Sequence, residues 1–460
     1  MAPLSKAGNA LAALREDLAG EVFAPGDPGY DDARRIFNAM IDRRPAVIAR
    51  CESVEDVVTA VRFARDLDLP VAVRGGGHSV AGMSLNDGGL VIDLRLMNDV
   101  AVHPAARAVR VAGGAVMGDL DRACEPYGLA TTGGRVSTTG VGGYVLGGGS
   151  GWTDRKFGLA VDNLLGAELV TADGSVVEAT AEENPELFWA LHGGGGNFGI
   201  ATSLTLRLHD LPAFSFALVM ALPEHGPALA RAYRDLVEEG PDDLGGGFIY
   251  LTGPPEDFVP APLHGALLAC AILTFTGPEE GVRKAAAPLL AVPHEAELVA
   301  ELPYADFACM LDDPPGLRNY WSAEYLTGAP DDMLEVFCSR AESMPVPSNC
   351  QHVLFPQGGA IAAGPRQWPV PYRDAPWVVH PFGVWEDPAD DERAMAWVRG
   401  VRADARPWST GAVYLNFTGD EGPERIVAGV GAENLHRLRT LKRQYDPDNV
   451  FRFNHNITPL

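Results

Sequence analysis

Over the first 210 residues, apolar positions come in short blocks that switch between strand and helix spacing. Residues 45–50 form a short apolar run. Ser53 stands where a helix cap would, with Asp56 three residues on. Val54, Val57, Val58, Val61 and Ala64 then give that helix one apolar face. Pro70 ends the unit, and 71–73 predicts a strand running straight into a glycine run. A further strand is predicted at 90–94, a hairpin turning near Pro104 over 100–111, and a helix at 117–127. Residues 167–177 read as a hairpin around Asp173-Gly174, a strong two-residue turn signal. A helix begins at 185–191, Gly193 to Gly196 break it, and 200–208 alternates as a strand.

The pattern changes at Leu211-Pro212. From there to about Trp408 the chain is richer in proline, with apolar strand-length runs at 267–275, 353–355 and 377–385. An amphipathic helix is predicted at 332–342. This part reads as a second, antiparallel α+β domain. The last 50 residues predict a strand at 412–417, a helix at 433–445 and a turn at Asp446-Pro447. No repeat or low-complexity tract interrupts the chain.

Composition narrows the partners more than the fold. With 36 Lys and Arg against 61 Asp and Glu, the net charge is −25. That argues against nucleic acid and anionic membrane, which need a basic face. There is no apolar run of membrane-spanning length, and the amino terminus, broken by Arg15, Glu16 and Asp17, reads as an ordinary helix. Six scattered cysteines without a CxxC pair are expected to be free thiols in a reducing cytoplasm.

The 52 glycines cluster at strand ends. Such a cluster lets backbone N–H groups approach a ligand and form an anion-binding nest. One Gly pair would mean only a tight turn, but four clusters fall within 130 residues: RGGGHS, GGRVSTTGVGG, GGGSGW and GGGGNFG. In a chain this acidic, a bound diphosphate has to be met locally by such amides. Gly194 to Gly199 matches GxGxxG by letter, yet it follows a helix and opens a strand, the reverse of the dinucleotide fingerprint. No GxxxxGK[ST], HExxH or GxSxG occurs, and no metal site is expected.

Four stretches together resemble a known family. They are Arg74-Gly75-Gly76-Gly77-His78-Ser79, then Gly133-Gly134-Arg135-Val136-Ser137-Thr138-Thr139-Gly140-Val141-Gly142-Gly143, then Asn184-Pro185-Glu186-Leu187-Phe188-Trp189 running into Gly193-Gly194-Gly195-Gly196-Asn197-Phe198-Gly199. The fourth is the ending Tyr445-Asp446-Pro447-Asp448-Asn449-Val450-Phe451 with Asn454-His455-Asn456. In that order they resemble the FAD-linked oxidases of the vanillyl-alcohol oxidase/p-cresol methylhydroxylase superfamily, the closer match being its berberine-bridge-enzyme-like branch. The resemblance implies an α+β fold: a two-part FAD-binding domain, residues 1–210 plus a returning segment 409–460, with an inserted antiparallel-sheet substrate domain, 211–408, covered by helices.

It also implies FAD bonded covalently through the His78 ring; on residue type alone, a His after a glycine run only closes a turn. Many relatives carry a second tether, a Cys in the next glycine segment. Val136 stands there, so a single link is expected, and Cys124 is too distant in sequence to replace it. The implied cofactor contacts are Arg74, Gly75, Gly76, Gly77, Ser79 and Gly82 in the first segment. In the second they are Gly134, Val136, Ser137, Thr138, Gly140, Gly142, Gly143 and Tyr144, where relatives often have His in place of Tyr144. Gly199, Ile200, Asn454 and Asn456 complete the set. Thr139 falls where the family places a residue that influences oxygen access; as a residue type it is equally a turn former.

On the predicted strand 412–417, period-two alternation puts Tyr414 and Asn416 on one face and Val413, Leu415 and Phe417 on the other. Tyr414 there is either anchored by its hydroxyl or a base, and the family pattern Tyr-x-Asn implies the base. A phenol near pKa 10 needs its anion stabilised to work at neutral pH. The expected reaction takes a proton from an alcohol, phenol or amine onto Tyr414 as the adjacent carbon gives hydride to flavin, with O2 as acceptor. Oxidative cyclisation or oxygenation in natural-product tailoring is the alternative, and a flavoprotein without turnover is a third. Tyr250, His352, Phe355, His380 and Trp385 are pocket candidates because they lie on central strands, and their aromaticity suggests a flat substrate. A monomer or a homodimer is compatible with all of this.

Overall fold

The computed structural model describes residues 2–310, 312 and 314–460. The apolar run at 45–50 forms the strand Val47–Arg50, and the helix Val54–Asp66 follows with Ser53 Oγ accepting the Asp56 N–H at 3.2 Å, as the capping signal predicts. Its apolar face crosses over to the strand Val71–Arg74. Val47–Arg50, Leu90–Asp93 and Val71–Arg74 pair in parallel, and Glu21–Phe23 adds an antiparallel edge. The predicted hairpins build a second, five-stranded antiparallel sheet. Its order is Val100–His103, Ala108–Ala112, Ile200–Arg207, Leu164–Val170, Val176–Thr180. Gly174, at φ +78°, makes the tight turn between Leu164–Val170 and Val176–Thr180.

Residues 215–385 supply an eight-stranded antiparallel sheet. Its order is Ala296–Glu301, Ser215–Ala221, Leu267–Phe275, Leu244–Thr252, Gln351–Pro356, Trp377–Trp385, Arg318–Trp321, and Glu324–Leu326 also pairs with Trp377–Trp385. The helices Gly226–Glu239, Asp331–Ala341 and Asp391–Ala405 cover one face, around Phe248, Phe337 and Trp397. The other face packs on Trp152, Leu159, Val161 and Tyr414 from the rest of the chain. Both faces are buried, which explains why these strands read as continuous apolar runs.

The expected strand at 412–417 does not form. The backbone passes Tyr414 in extended form and closes a 3₁₀ turn at Leu415–Phe417, with the Phe417 N–H on Tyr414 O at 3.0 Å and Thr418 Oγ1 on Leu415 O at 3.1 Å. The alternation is therefore only half realised. Val413 and Leu415 enter the core beneath the second sheet, whereas Phe417 swings round to stack on His380, ring centroids 4.0 Å apart. After the turn, helix Ala432–Tyr445 carries the chain back to the glycine segment at 193–199.

Candidate active site

A cavity of about 320 Å³ lies where the three sheets and the carboxy-terminal segment meet. Its walls draw on Val71 and Leu94 from the parallel sheet, Ile200 from the second sheet, Phe451 from the tail, and Trp321 and Phe382 from the eight-stranded sheet.

The strand Val71–Arg74 delivers the first glycine run to this cavity, and Gly75, Gly76, Gly77, His78 and Ser79 all line it. The backbone N–H groups of 76–79 donate to no acceptor among the described residues, and Gly77 has φ +77°. Successive free N–H groups of this kind make an anion nest. Gly76 touches Gly140 backbone to backbone, leaving no room for a Cβ. That contact docks the first loop on the second. His78 follows: its Nε2 is 2.7 Å from Thr138 Oγ1, and its ring stacks on Phe37 at 4.0 Å. Burial lowers its pKa to about 4, so the imidazole is neutral. Its Nδ1 has no partner among the described residues.

The second loop is held by Met117 N on Thr139 O (2.9 Å) and Gly118 N on Ser137 O (2.8 Å). Gly134, Val136, Thr139, Gly140, Gly142 and Gly143 line the cavity. A methyl at Gly143, Gly195 or Gly196 would meet nothing within 4 Å, so at these points the backbone borders open space. Tyr144 also lines the wall; its buried hydroxyl has no partner, and burial raises its pKa well above 10.

The third run, Gly147 to Gly151, serves a different end. Here glycine makes room for side chains. A methyl on Gly147 would lie 2.5 Å from Asn416 Oδ1, one on Gly148 would strike the Tyr372 hydroxyl, and one on Gly149 would sit 2.8 Å from Tyr144. The backbone so exposed faces Tyr414. The Gly149 N–H donates to Tyr414 Oη at 3.0 Å and Asn416 Nδ2 donates to it at 2.9 Å. Burial pushes this phenol up to about 12, while Asn416, the Gly149 and Ser150 amides and the Arg135 charge pull the other way. Tyr414 and Asn416 thus meet across the turn rather than across a strand face, and both line the cavity.

The cavity joins free amides that can grip an anion to an apolar wall and to residues of the eight-stranded sheet. Comparison with known proteins identifies the cofactor as FAD. The FAD binding domain family matches residues 45–180, and the berberine and berberine-like family matches residues 413–458. An (R)-6-hydroxynicotine oxidase of Paenarthrobacter nicotinovorans is 32% identical over 456 residues, 96% of this chain and 97% of that protein. The chain belongs to the berberine-bridge-enzyme-like FAD-linked oxidoreductases.

An FAD-linked oxidoreductase of Bacillus subtilis (strain 168) is 30% identical, with 96% of this chain and 98% of that one covered. The crystal structure of 6-hydroxy-D-nicotine oxidase from Arthrobacter nicotinovorans superposes with a TM-score of 0.85 at 29% identity, covering 96% and 98% of the two chains. Xylooligosaccharide oxidase from Myceliophthora thermophila shares the fold, with a TM-score of 0.84 at 23% identity and coverage of 98% and 99%.

Within this FAD-linked oxidoreductase, Gly199, Ile200 and Asn454 line the cavity, but five of the residues singled out in the sequence do not. Arg74 turns away because Ala33 O (2.7 Å) and Arg35 O (3.1 Å) take its Nη1, and Asp93 at the end of the next strand lies 3.9 Å from Nη2. Gly82, at φ +69°, packs on Ile41. Ser137 is taken by Asp312, which accepts from its N–H at 2.7 Å and from its hydroxyl. Thr138 reaches the cavity only through its bond to His78. Asn456 is not among the lining residues, and its buried Oδ1 has no partner.

Of the pocket candidates, Phe355 and His380 are on the inner sheet side. Tyr250 and His352 pack among the covering helices. Trp385 is bonded to the helix residue Asp391. All six cysteines are free thiols, and Cys124 is buried in the helix Met117–Cys124, away from the cavity. No group of His, Cys, Asp or Glu among the described residues could hold a metal, and no helix is long and apolar enough to cross a membrane.

Sequence reasoning missed Trp321, Phe382 and Phe417 on the cavity wall, and nothing local marks them. It also missed Lys442. This buried side chain donates to Asn197 O (2.8 Å), Asp446 Oδ2 (2.6 Å) and Phe451 O (2.9 Å), tying the tail to the fourth glycine run. A lysine four residues before the Asp of Tyr-Asp-Pro-Asp-Asn was the available signal.

Proposed function

We propose that the protein oxidises the CH–OH or CH–NH group of a small, flat, uncharged metabolite, with FAD bonded to His78, Tyr414 as base and O2 as final acceptor. The division of labour follows the chain: residues 1–210 and 409–460 hold the cofactor, and 211–408 carry the substrate wall. Bound FAD supplies the hydride acceptor and the route to oxygen.

The observation that carries this reading is the environment of Tyr414 Oη. Two donors, Gly149 N–H and Asn416 Nδ2, occupy its acceptor positions, so the remaining direction carries its own proton or, once that is lost, the free charge of a stabilised phenolate. A phenolate so held takes the substrate O–H or N–H proton as the neighbouring C–H leaves as hydride, and C=O or C=N forms. His78 supports the tether reading: its Nε2 is engaged with Thr138, leaving Nδ1 as the nitrogen free for alkylation.

The wall composition supports the substrate class. Trp321, Phe382 and Phe417 contribute aromatic rings to the wall, and Arg135 is the one Asp, Glu, Lys or Arg side chain among the lining residues. A planar ring system gains most from such a wall.

Anaerobic titration with flat secondary alcohols and cyclic secondary amines tests the proposal. One donor should bleach the flavin band, and air should restore it with one equivalent of peroxide and a product two electrons more oxidised. A flavin that stays yellow with every donor would overturn it. A product with a new ring or an added oxygen would assign the chain to oxidative tailoring instead.

A further inference from the structure

Arg135 stands next to Val136 in the second glycine loop, and the backbone around it explains its orientation. Gly148 and Gly149 have φ +130° and +80°, so the segment after them turns sharply. That turn aims the Gly149 N–H at Tyr414 and leaves the next two carbonyls pointing the other way. The guanidinium collects them: Nη1 donates to Ser150 O at 3.0 Å and to Ser150 Oγ at 3.3 Å, and Nη2 donates to Gly151 O at 2.8 Å. Its plane lies over Phe355 of the eight-stranded sheet, 4.0 Å from the ring centroid, and 5.3 Å from that of Trp152. Asp154 completes the unit, accepting from Ser150 Oγ (2.7 Å) and Gly151 N (3.0 Å) and standing 3.6 Å from Nη2.

We infer that Arg135 is a positioning residue for the base: by gripping the Ser150 and Gly151 carbonyls it fixes the Gly149 N–H on Tyr414 and places a largely covered positive charge on the phenol's side of the turn. The inference rests on Tyr414 being the base. The other groups facing Tyr414 do not supply that charge. Tyr144, Tyr325 and Tyr372 are phenols that burial keeps neutral. His380, behind Phe417, is held neutral by burial at about 3. Arg373, beside Tyr372, is paired with Asp162, and Asp154 is a carboxylate. Among the groups that pull the Tyr414 pKa downward, Arg135 is the cation.

The test uses the flavin-loaded protein labelled with 3-fluorotyrosine, which brings phenol ionisation into a range the fold withstands. ¹⁹F NMR follows it with pH, and Tyr414→Phe assigns the resonance. Arg135→Met should raise the Tyr414 midpoint by about one pH unit or more, the scale of losing a nearby opposite charge. Arg135→Lys, which keeps charge but loses the fork, should fall between. Should Arg135→Met not fold, Arg135→Lys carries the test alone. An unchanged midpoint in the folded variant would overturn the inference. Turnover of Tyr414→Phe, measured separately, reports on the base itself: full activity there would remove the base role yet leave a shifted midpoint standing.

Discussion

At the residue scale the decisive contrast is between His78 and Tyr414, two polar rings at one cavity on which the proposed reading places opposite protonation requirements. Burial keeps His78 unprotonated, with pKa about 4, which is the form that can act as a nucleophile toward a flavin methyl. A tryptic digest should therefore yield a single yellow peptide, containing His78; free flavin after denaturation would contradict this. Burial keeps Tyr414 protonated, with pKa up to about 12, and the base form is the deprotonated one. The sign is then fixed: kcat/KM should rise with pH through the neutral and alkaline range, towards the phenol pKa. Tyr414→Phe should lose roughly a hundred- to ten-thousand-fold in kcat and flatten that rise. Full retained turnover would dispose of the base role. Much of this was legible, because Gly-Gly-Gly-His-Ser and Tyr-x-Asn are local signals. Arg74 was not, since its direction is set by the Ala33 and Arg35 carbonyls, 41 and 39 residues away in sequence and outside any local pattern.

At the element scale, glycine has two uses that look alike in sequence. Gly75 to Gly77 and Gly143 bare the backbone towards the cavity, whereas Gly147 to Gly149 admit side chains. The distinction depends on Tyr372, more than 200 residues away, and so lies outside any local pattern. Gly149→Ala should be severe, because it combines φ +80° with a Cβ 2.8 Å from Tyr144. The loss should exceed the ~1 kcal/mol typical of left-handed positions, read as a fall in Tm, and the flavin spectrum should change with it. The mirror case is Gly195→Ala: its φ is +61° but no atom lies within 4 Å, so stability should fall less while FAD incorporation during folding suffers. The strand expected at 412–417 failed for a related reason. Two-residue alternation marks a strand only where a neighbouring strand can pair, and here the Thr418 hydroxyl and the Phe417 N–H close a turn first.

At the scale of the whole molecule, the tail has to return across the chain to complete the cavity wall, and two of its ion pairs differ sharply in burial. Arg437 meets Glu186 on the surface at 2.7 Å, both side chains about half exposed. Lys442 meets Asp446 at 2.6 Å with neither exposed, and every ammonium proton has a fixed acceptor. Sequence alone ranks these equally, since each is a basic residue of the predicted helix at 433–445; burial separates them. Glu186→Ala should change stability by less than about 1 kcal/mol, because solvent screens the exposed pair. Lys442→Met should cost about 3–5 kcal/mol, because it leaves Asp446 buried and uncompensated and frees the carbonyls of Asn197 and Phe451. The damage should also reach the cofactor. Asn197 belongs to the Gly193 to Gly199 run, and its side chain holds His455 O at 3.1 Å and the Ile457 N–H at 2.9 Å, so loosening it opens the wall on two sides. Parallel thermal melts by circular dichroism and flavin fluorescence check this: Lys442→Met should expose flavin at or below its unfolding temperature and well below that of Glu186→Ala. Equal melting of the two variants would mean that the tail is held by its apolar contacts alone.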